Sequence, residues 1–285
     1  MAKRFRRRAS TGTANSSWTQ VQLARQRRTD GDPTRIIAVW RDFFGEHYGG
    51  GPRRAGIGEP IWAGRSAAEL DECRRHESLL NLAFADAPAW SLFCPYNTTD
   101  LDDEVLVAAE HNHPVLAGRS RSAEFAADGR QAFAGKLPRL AGHAEESAFG
   151  PGELHRVRHL VHDRGAQAGL EEQQVADFVL AANEIATNSL RYGGGRGTVE
   201  IARAGNALIC DFRDSGKIED PLVGRRRPPI AQVGGRGLWL ANQLCDLVQV
   251  RSNDACAARF RRQPLRPLRG DQSRNQQRSR SVSRR

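Results

Sequence analysis

The 285-residue sequence lacks several features that would each assign it to a class of protein. It has no apolar run of membrane-spanning length, and its Arg-rich beginning lacks the apolar stretch of a signal peptide. It also has no obvious internal repeat. Its five cysteines are odd in number, scattered and without metal-ligand or redox spacing, which indicates reduced thiols. We therefore expect a soluble cytoplasmic protein, without a membrane partner, of one large domain or two ordinary ones.

The cysteines differ in their surroundings. Cys210 and Cys245 lie within apolar patterns that are typical of a protein core. Cys94, in the stretch LFCPY, is the only cysteine that we retain as a candidate sensor thiol. The alternative is that Cys94 is a core residue as well.

The net charge of +10 is concentrated at the two ends of the chain. Residues 1–30 contain 8 Lys+Arg and 1 Asp, and residues 259–285 contain 10 Arg and 1 Asp, so the rest of the chain is mildly acidic. Such arginines can touch phosphate backbones, but no interleaved aromatic residues indicate base stacking. We interpret both ends as disordered arms and expect no nucleic-acid function beyond non-specific contacts.

The first half of the chain has the pattern of a small α/β domain. Ser66 and Glu69 have the spacing of a capping box at the start of a helix. A short strand is predicted by WSLFC, which stops at Pro95, and a second helix by DDEVLVAAEHN. We predict this domain over residues 31–116, and a linker over residues 117–150 because that stretch is rich in Ala, Gly and charge.

The second half predicts helices interleaved with strands. The strongest helix is predicted by EEQQVADFVLAANEIATNSLRYGGG, and two strands joined at Gly205 and Asn206 by GTVEIARAGNALICDFRDSG. A further helix and strand are predicted by GLWLANQLC and DLVQVRS, whereas NDACAARFRRQPLRP is a poor strand. We predict a domain over residues 151–258 and a disordered tail over residues 259–285. The expected fold is a two-layer α/β sandwich, with a mixed sheet and helices on one face.

Two polar residues mark one face of the strongest predicted helix. Glu184 and Asn188 are four residues apart, so they are neighbours on the helix surface and lie opposite its apolar stripe. Asn188 offers a neutral oxygen that suits Mg²⁺, and Glu184 can accept a proton from a hydroxyl or a water. Phosphoryl transfer needs such a metal position and such a nucleophile position, although a solvated pair is the simpler interpretation of these two residues alone.

Two further motifs follow along the chain. In DFRDSG, Asp214 ends a strand and can accept a hydrogen bond from the amino group of adenine, while Gly216 would let the backbone approach a flat ring. In GGRGLWLANQ, Gly235 and Gly237 precede a helix whose free N–H groups can bind phosphate. Each motif alone is weak, and the glycines form neither a Walker P-loop nor a dinucleotide fingerprint.

The order of the three motifs resembles the ATP-binding domain of the GHKL superfamily, which includes histidine kinases and gyrase-type ATPases. NEIATNSLRYGG is most similar to the motif of the anti-sigma-factor serine kinases. The resemblance covers roughly residues 150–252 and implies ATP and Mg²⁺ as cofactors. It also implies Asn188 as the Mg²⁺ ligand and Glu184 as the catalytic base.

The same resemblance implies a role for the remaining motif residues. Asp214 and Gly216 would hold adenine, and Gly235 and Gly237 would lie by the phosphates and a mobile lid. The lid itself would be DPLVGRRRPPIAQVGGRG, whose arginines 225–227 can neutralise phosphate or meet an acidic partner. A solvated basic loop is the alternative for these arginines.

The first half resembles the sensory domain named for methanogens and methylotrophs, MEDS. The residues that carry this resemblance are GEPIWAGRSAAELDECRRHESLLNLAF and LFCPYNTTDLDDEVLVAAEHNHP. The similarity begins near residue 31, which predicts a truncated sensory domain that lacks its first strands.

Together, the two resemblances imply an ATP-binding anti-sigma regulatory factor. Such a protein would sequester a sigma factor and phosphorylate an antagonist protein on Ser or Thr, and a homodimer is also implied. One alternative is a sensor histidine kinase, for which His155 and His159 are the nearby candidate phosphate acceptors. Another is a protein-binding module that ATP gates without catalysis.

Overall fold

The computed structural model describes residues 2–5, 32–47, 54–59, 61–85, 90–116, 119–120, 135–140, 144–229, 235–252 and 255–264. These residues form two five-stranded sheets, one in each half of the chain. Within them, no helix combines the length and the apolar character that a membrane crossing requires. Most of the predicted arm, the predicted tail beyond residue 264 and much of the predicted linker lie outside the described residues.

The amino-terminal sheet draws its strands from distant parts of the chain. Its strands in chain order are β1 (Ala2–Phe5), β2 (Arg54–Ile57), β3 (Trp90–Phe93), β4 (Val115–Leu116) and β5 (Arg119–Ser120). They are arranged in the order β2-β3-β1-β4-β5, and only the β2–β3 pair is parallel among the pairs described. The central position of β1 makes the prediction of a disordered arm wrong for residues 2–5. A local pattern could not reveal this strand because its main partner, β3, lies almost ninety residues further along the chain.

In the described part of this half, three α-helices accompany the sheet: α1 (Ile36–His47), α2 (Ala67–Ala83) and α3 (Asp103–Asn112). The predicted capping box begins α2, since the backbone N–H of Ser66 donates to Glu69 Oε2 at 2.8 Å and Ser66 Oγ accepts from the backbone N–H of Glu69. The helices bury an apolar cluster against β3, in which Trp40, Leu80 and Leu92 are almost fully enclosed. The first half of the chain is therefore an α/β unit with its own core.

The carboxy-terminal sheet has helices packed against it. Its strands are β6 (Glu145–Phe149), β7 (Gly197–Ala204), β8 (Ala207–Asp214), β9 (Leu247–Ser252) and β10 (Cys256–Arg262), in the order β6-β7-β8-β10-β9. The helices are α4 (Leu154–Gln167), α5 (Glu172–Tyr192) and α6 (Gly237–Leu244). The predicted α/β sandwich is confirmed, but all four strand pairs are antiparallel, so its sheet is not mixed. The edge strand β6 falls within the span that was predicted as a linker.

Strand β10 corrects the prediction of a poor strand and of a tail from residue 259. It lies between β8 and β9 and pairs with both of them. Its Phe260 is fully buried, where it stacks on Phe212 at 5.6 Å between ring centroids and meets the edge of Phe178 at 5.0 Å. Such aromatic contacts anchor the strand to the core that α5 covers.

The arginines of β10 explain why its sequence was predicted to be a poor strand. Its Arg259 and Arg261 alternate with buried residues, so they lie on the other face of the sheet. Arg259 pairs with the fully buried carboxylate of Asp211, and Arg261 donates to Glu69 in the other half of the chain at 2.9 Å. Because these partners are remote in sequence, the charges made the strand look unfavourable.

The two halves meet at a buried cluster of charges. The carboxylate of Glu72 on α2 is fully enclosed and accepts from Arg225 at 2.7 Å and from Arg251 at 2.8 Å. Leu222 extends the contact by packing into the apolar cluster of the amino-terminal half. Helix α2 is thus attached both to the segment that follows β8 and to strand β9.

A second contact joins the halves at the end of α6. Arg35 is buried and donates to the backbone carbonyls of Asn242 and Cys245. The last carbonyls of a helix have no partner within the helix, so the guanidinium satisfies groups that would otherwise need water. The amino-terminal half therefore completes the carboxy-terminal end of α6.

Candidate functional site

Helix α5 carries the two polar residues that the sequence singled out. Glu184 and Asn188 lie one turn apart and are both half-buried, whereas Ala182 and Ala186 on the other side of the helix are fully buried. The predicted division of α5 into a packing face and a polar face is therefore present. Among the residues that the structure describes, no hydrogen bond engages the side chain of Glu184 or Asn188, so both remain available to a ligand.

Gly237, at the first position of α6, brings the third motif against these two residues. A Cβ atom built on Gly237 would lie 2.9 Å from Glu184 Oε2 and 3.1 Å from Asn188 Nδ2. Real Cβ atoms essentially never approach a heavy atom so closely, so a side chain at this position would have to displace the carboxylate of Glu184. The amino-terminal end of α6, with its free N–H groups, therefore faces the polar side of α5.

The second motif is attached to the same helix through Asp214. Ser189 Oγ on α5 donates to Asp214 Oδ2 at 2.6 Å, and the backbone N–H of Gly216 donates to Asp214 Oδ1 at 2.8 Å. These two bonds fix the orientation of the carboxylate, whose remaining lone pairs can still accept from a ligand. All three predicted motifs thus converge on the carboxy-terminal half of α5.

The glycines that end α5 allow this arrangement. A Cβ atom on Gly193 would lie 2.4 Å from Asp214 Cγ, so a side chain at this position would displace the carboxylate. Ser215 also closes against the helix end, since its N–H and its Oγ both donate to the carbonyl of Gly193. The run of glycines after NEIATNSLRY therefore makes room for the DSG turn.

Sequence reasoning missed Ser189 and Gly193. The signal for Ser189 was a small polar residue on the buried side of the helix, one position after Asn188. The signal for Gly193 was its place directly after the last helical residue. Neither signal shows which carboxylate the residue meets, because Asp214 lies more than twenty residues away along the chain.

The remaining predicted residue, Gly235, lies at the edge of the described part of the site. It is exposed, has a φ angle of 72° and follows residues 230–234, which lie outside the described residues. The structure brings Gly235 within two residues of Gly237, but it gives no side-chain contact that links Gly235 to Glu184, Asn188 or Asp214.

The arginine run in the predicted lid has partners of its own. Arg225 is buried and pairs with Glu72, while Arg226 pairs with Asp220 and Arg227 lies 3.1 Å from Asp42. The alternative of a wholly solvated loop is therefore wrong for Arg225. The sequence did not reveal this partner because Glu72 belongs to the other half of the chain.

The three histidines of α4 are all exposed. His155, His159 and His162 face solvent, whereas Val157 and Val161 on the same helix are buried. The predicted solvated face is thus present, and among the described residues no metal-binding group includes any of these histidines.

The donor set suits a magnesium nucleotide. Asn188 supplies an amide oxygen for a hard cation, Glu184 supplies a carboxylate beside it, and the start of α6 supplies N–H groups for phosphate oxygens. Asp214 supplies a fixed acceptor at the other end of the site. The structural observation behind this fit is the close approach of the Gly237 backbone, since a Cβ atom there would meet both Glu184 and Asn188.

Comparison with known families divides the chain in the same way as the two sheets. Residues 7–114 match the model of MEDS, the methanogen/methylotroph, DcmR sensory domain, and residues 148–258 match that of the histidine kinase-like ATPase domain. The expectation that the MEDS similarity begins near residue 31 is therefore wrong. No curated protein matches the chain.

One solved structure that is similar to this chain contains the RsbU and RsbW domains of Rv1364c from Mycobacterium tuberculosis. Its sequence identity to the chain is 18%, with a TM-score of 0.32, and the match covers 44% of this chain and 34% of that one. This chain thus spans about a third of the length of that structure. The family matches and the fold together identify the chain: it joins an amino-terminal MEDS domain to a carboxy-terminal histidine kinase-like ATPase domain.

Proposed function

We propose that the carboxy-terminal domain binds ATP with Mg²⁺ between α5 and α6 and transfers the γ-phosphoryl group to a protein hydroxyl. The observation that carries this proposal is the close approach of Gly237 to Glu184 and Asn188. It unites a candidate metal ligand, a candidate base and a helix amino terminus in one place. Those are the parts that phosphoryl transfer requires of a protein.

Each residue has a defined task in this proposal. Asn188 would hold the metal through its amide oxygen, and Glu184 would accept the proton of the attacking hydroxyl. Asp214, oriented by Ser189, accepts a hydrogen bond from the adenine amino group. The bound metal would neutralise charge on the phosphates. Gly235 and Gly237 leave the backbone free to approach the phosphates.

We further propose that the protein is a cytoplasmic anti-sigma regulatory factor. In this role it sequesters a sigma factor and phosphorylates an antagonist of that complex on Ser or Thr, thereby regulating transcription. The support is the similarity of NEIATNSLRYGG to the motif of the anti-sigma-factor serine kinases. A homodimer belongs to the same proposal, and light scattering on the purified chain measures it.

Regulation by the MEDS domain is the remaining part of the proposal. Arg225 belongs to the segment between the second and third motifs, and its buried partner is Glu72 of the MEDS domain. A change in α2 would therefore alter how this segment is held. The contact supports a sensory input that acts on the nucleotide site through Glu72.

Calorimetric titration of Mg-ATP tests nucleotide binding. We expect the native chain to bind and Asn188→Ala to lose detectable binding, because the variant removes the proposed metal ligand. Asn183→Ala is the matched control, since Asn183 lies on the same helix but accepts from the exposed Arg158 at 3.0 Å. It should bind as the native chain does. Absence of binding by the native chain would leave at most a protein-binding module.

Phosphoryl transfer needs a separate measurement. The native chain is incubated with γ-labelled ATP and purified candidate antagonists, and the labelled protein is then treated with acid. We expect acid-stable label on the antagonist and its loss in Glu184→Gln. Acid-labile label on the chain itself, removed by His155→Ala or His159→Ala, would instead support the histidine kinase alternative.

A further inference from the structure

Three buried side chains meet in the amino-terminal domain, away from the nucleotide site. Glu77 lies on α2, Cys94 directly follows β3, and His113 directly follows α3. Their ligand atoms, a carboxylate oxygen, a thiol sulfur and a ring nitrogen, all lie within 4.8 Å of one another. Each of the three residues is at most 1% exposed. A carboxylate is costly to enclose in this way unless an opposite charge lies beside it.

The orientation of His113 determines which of its ring nitrogens can bind a cation. Its Nδ1 lies 2.6 Å from the backbone carbonyl of Ala109, which can only accept, so Nδ1 carries the hydrogen. In the neutral ring this leaves a lone pair on Nε2, which lies 3.3 Å from Glu77 Oε2. Histidines that bind metals characteristically donate their other N–H to a carbonyl or a carboxylate in this way.

A proton on Nε2 would turn this contact into an imidazolium–carboxylate pair, and a metal ion that both atoms bind would also suit it. The sulfur of Cys94 favours the metal ion, because it lies within the same 4.8 Å and an imidazolium–carboxylate pair would use only two of the three ligand atoms. A thiolate and a carboxylate together balance the two positive charges of a divalent ion, so the complete site would be neutral, which suits its burial.

We propose that Glu77, Cys94 and His113 bind one divalent transition metal ion of the zinc type. Zinc accepts this combination of nitrogen, sulfur and oxygen ligands, whereas Mg²⁺ and Ca²⁺ prefer oxygen alone. On binding, the thiol of Cys94 releases its proton to solvent and the sulfur bonds to the ion as a thiolate. Three protein ligands leave a fourth position of a tetrahedral site for water or a small ligand.

The purified full chain tests this proposal without any nucleotide. The protein is stripped with a chelator and titrated with Co²⁺, whose thiolate charge-transfer band reports a bond to sulfur, and Zn²⁺ is then used to displace the cobalt. We expect one equivalent of metal per chain, together with the band. Cys94→Ser should lose the band and bind the metal at least about tenfold more weakly.

Cys73→Ser is the matched control, since Cys73 is equally buried in the same domain but outside the three-residue group. It should keep both the band and the stoichiometry. His113→Gln provides a second variant if Cys94→Ser does not fold, and circular dichroism checks the folding of each. A native chain that binds no Co²⁺ or Zn²⁺, or whose band persists in Cys94→Ser, would overturn the proposal and leave an imidazolium–carboxylate ion pair.

Discussion

The two domains place their polar side chains in opposite ways. In the ATPase domain, Glu184 and Asn188 are half-buried, and the backbone of Gly237 lies close against them. In the MEDS domain, Glu77, Cys94 and His113 are enclosed on all sides. The proposed nucleotide site therefore depends on how closely the backbone of one helix lies to the side chains of another. The proposed ion site depends only on three side chains that converge.

Helix α2 carries one buried carboxylate at the domain interface and another inside the MEDS domain. Its Glu72 pairs with Arg225 and Arg251 of the ATPase domain, whereas Glu77, five residues later, faces Cys94 and His113 within the MEDS domain. Both carboxylates are buried, but one joins the domains and the other lies inside a single domain. Substitutions can therefore separate the effect of the interface on stability from the effect of each site on ligand binding.

The largest effect is expected from breaking the interface. Glu72→Ala would remove the carboxylate that Arg225 pairs with and would leave Arg251 with Asp71 alone, at a cost of about 3–5 kcal/mol in the free energy of unfolding. Denaturant unfolding followed by tryptophan fluorescence measures this change. Glu104→Ala is the control, because the side chain of Glu104 is 85% exposed and its pair with Arg74 should contribute almost nothing. Equal stability of the two variants would show that the cluster does not hold the domains together.

A smaller effect is expected from adding a side chain at Gly237 in the ATPase domain. Gly237→Ala would place a methyl group against Glu184 and Asn188, and we expect the affinity for Mg-ATP to fall by about 2 kcal/mol, or roughly thirtyfold. Calorimetry measures the affinity. Gly150→Ala is the matched control, since its Cβ atom would meet Glu153 at an ordinary 3.6 Å. Unchanged binding by Gly237→Ala would mean that nucleotide does not enter between α5 and α6.

The smallest effect is expected from removing one hydrogen bond to the carboxylate of Asp214. Ser189→Ala removes the donor to Asp214 Oδ2, and we expect Mg-ATP to bind about 1 kcal/mol, or roughly fivefold, more weakly. Thr187→Ala is the control on the same helix, because Thr187 Oγ1 donates only to the backbone carbonyl of Asn183. If both variants bind equally well, the orientation of Asp214 does not contribute to nucleotide affinity.

Much of the ATPase domain could be predicted because its signals are local. The apolar stripe of α5, the turn at Gly205 and the strand of DLVQVRS each occupy one short stretch, and each is present in the structure. The pairing of Glu184 with Asn188 could be predicted for the same reason, since helix geometry alone makes them neighbours. Strand β10 could not be predicted, because its arginines are neutralised by Asp211 and Glu69 from remote parts of the chain.

Local periodicity was enough to assign each candidate group to a helix face or a strand end. Which of these groups meet depends on how distant segments pack in three dimensions. The contacts of Gly237 with Glu184, of Glu72 with Arg225, and of Cys94 with His113 all join segments that are far apart in the chain. Such contacts form because burial of apolar surface packs the elements together, and that packing depends on the whole core rather than on any one motif.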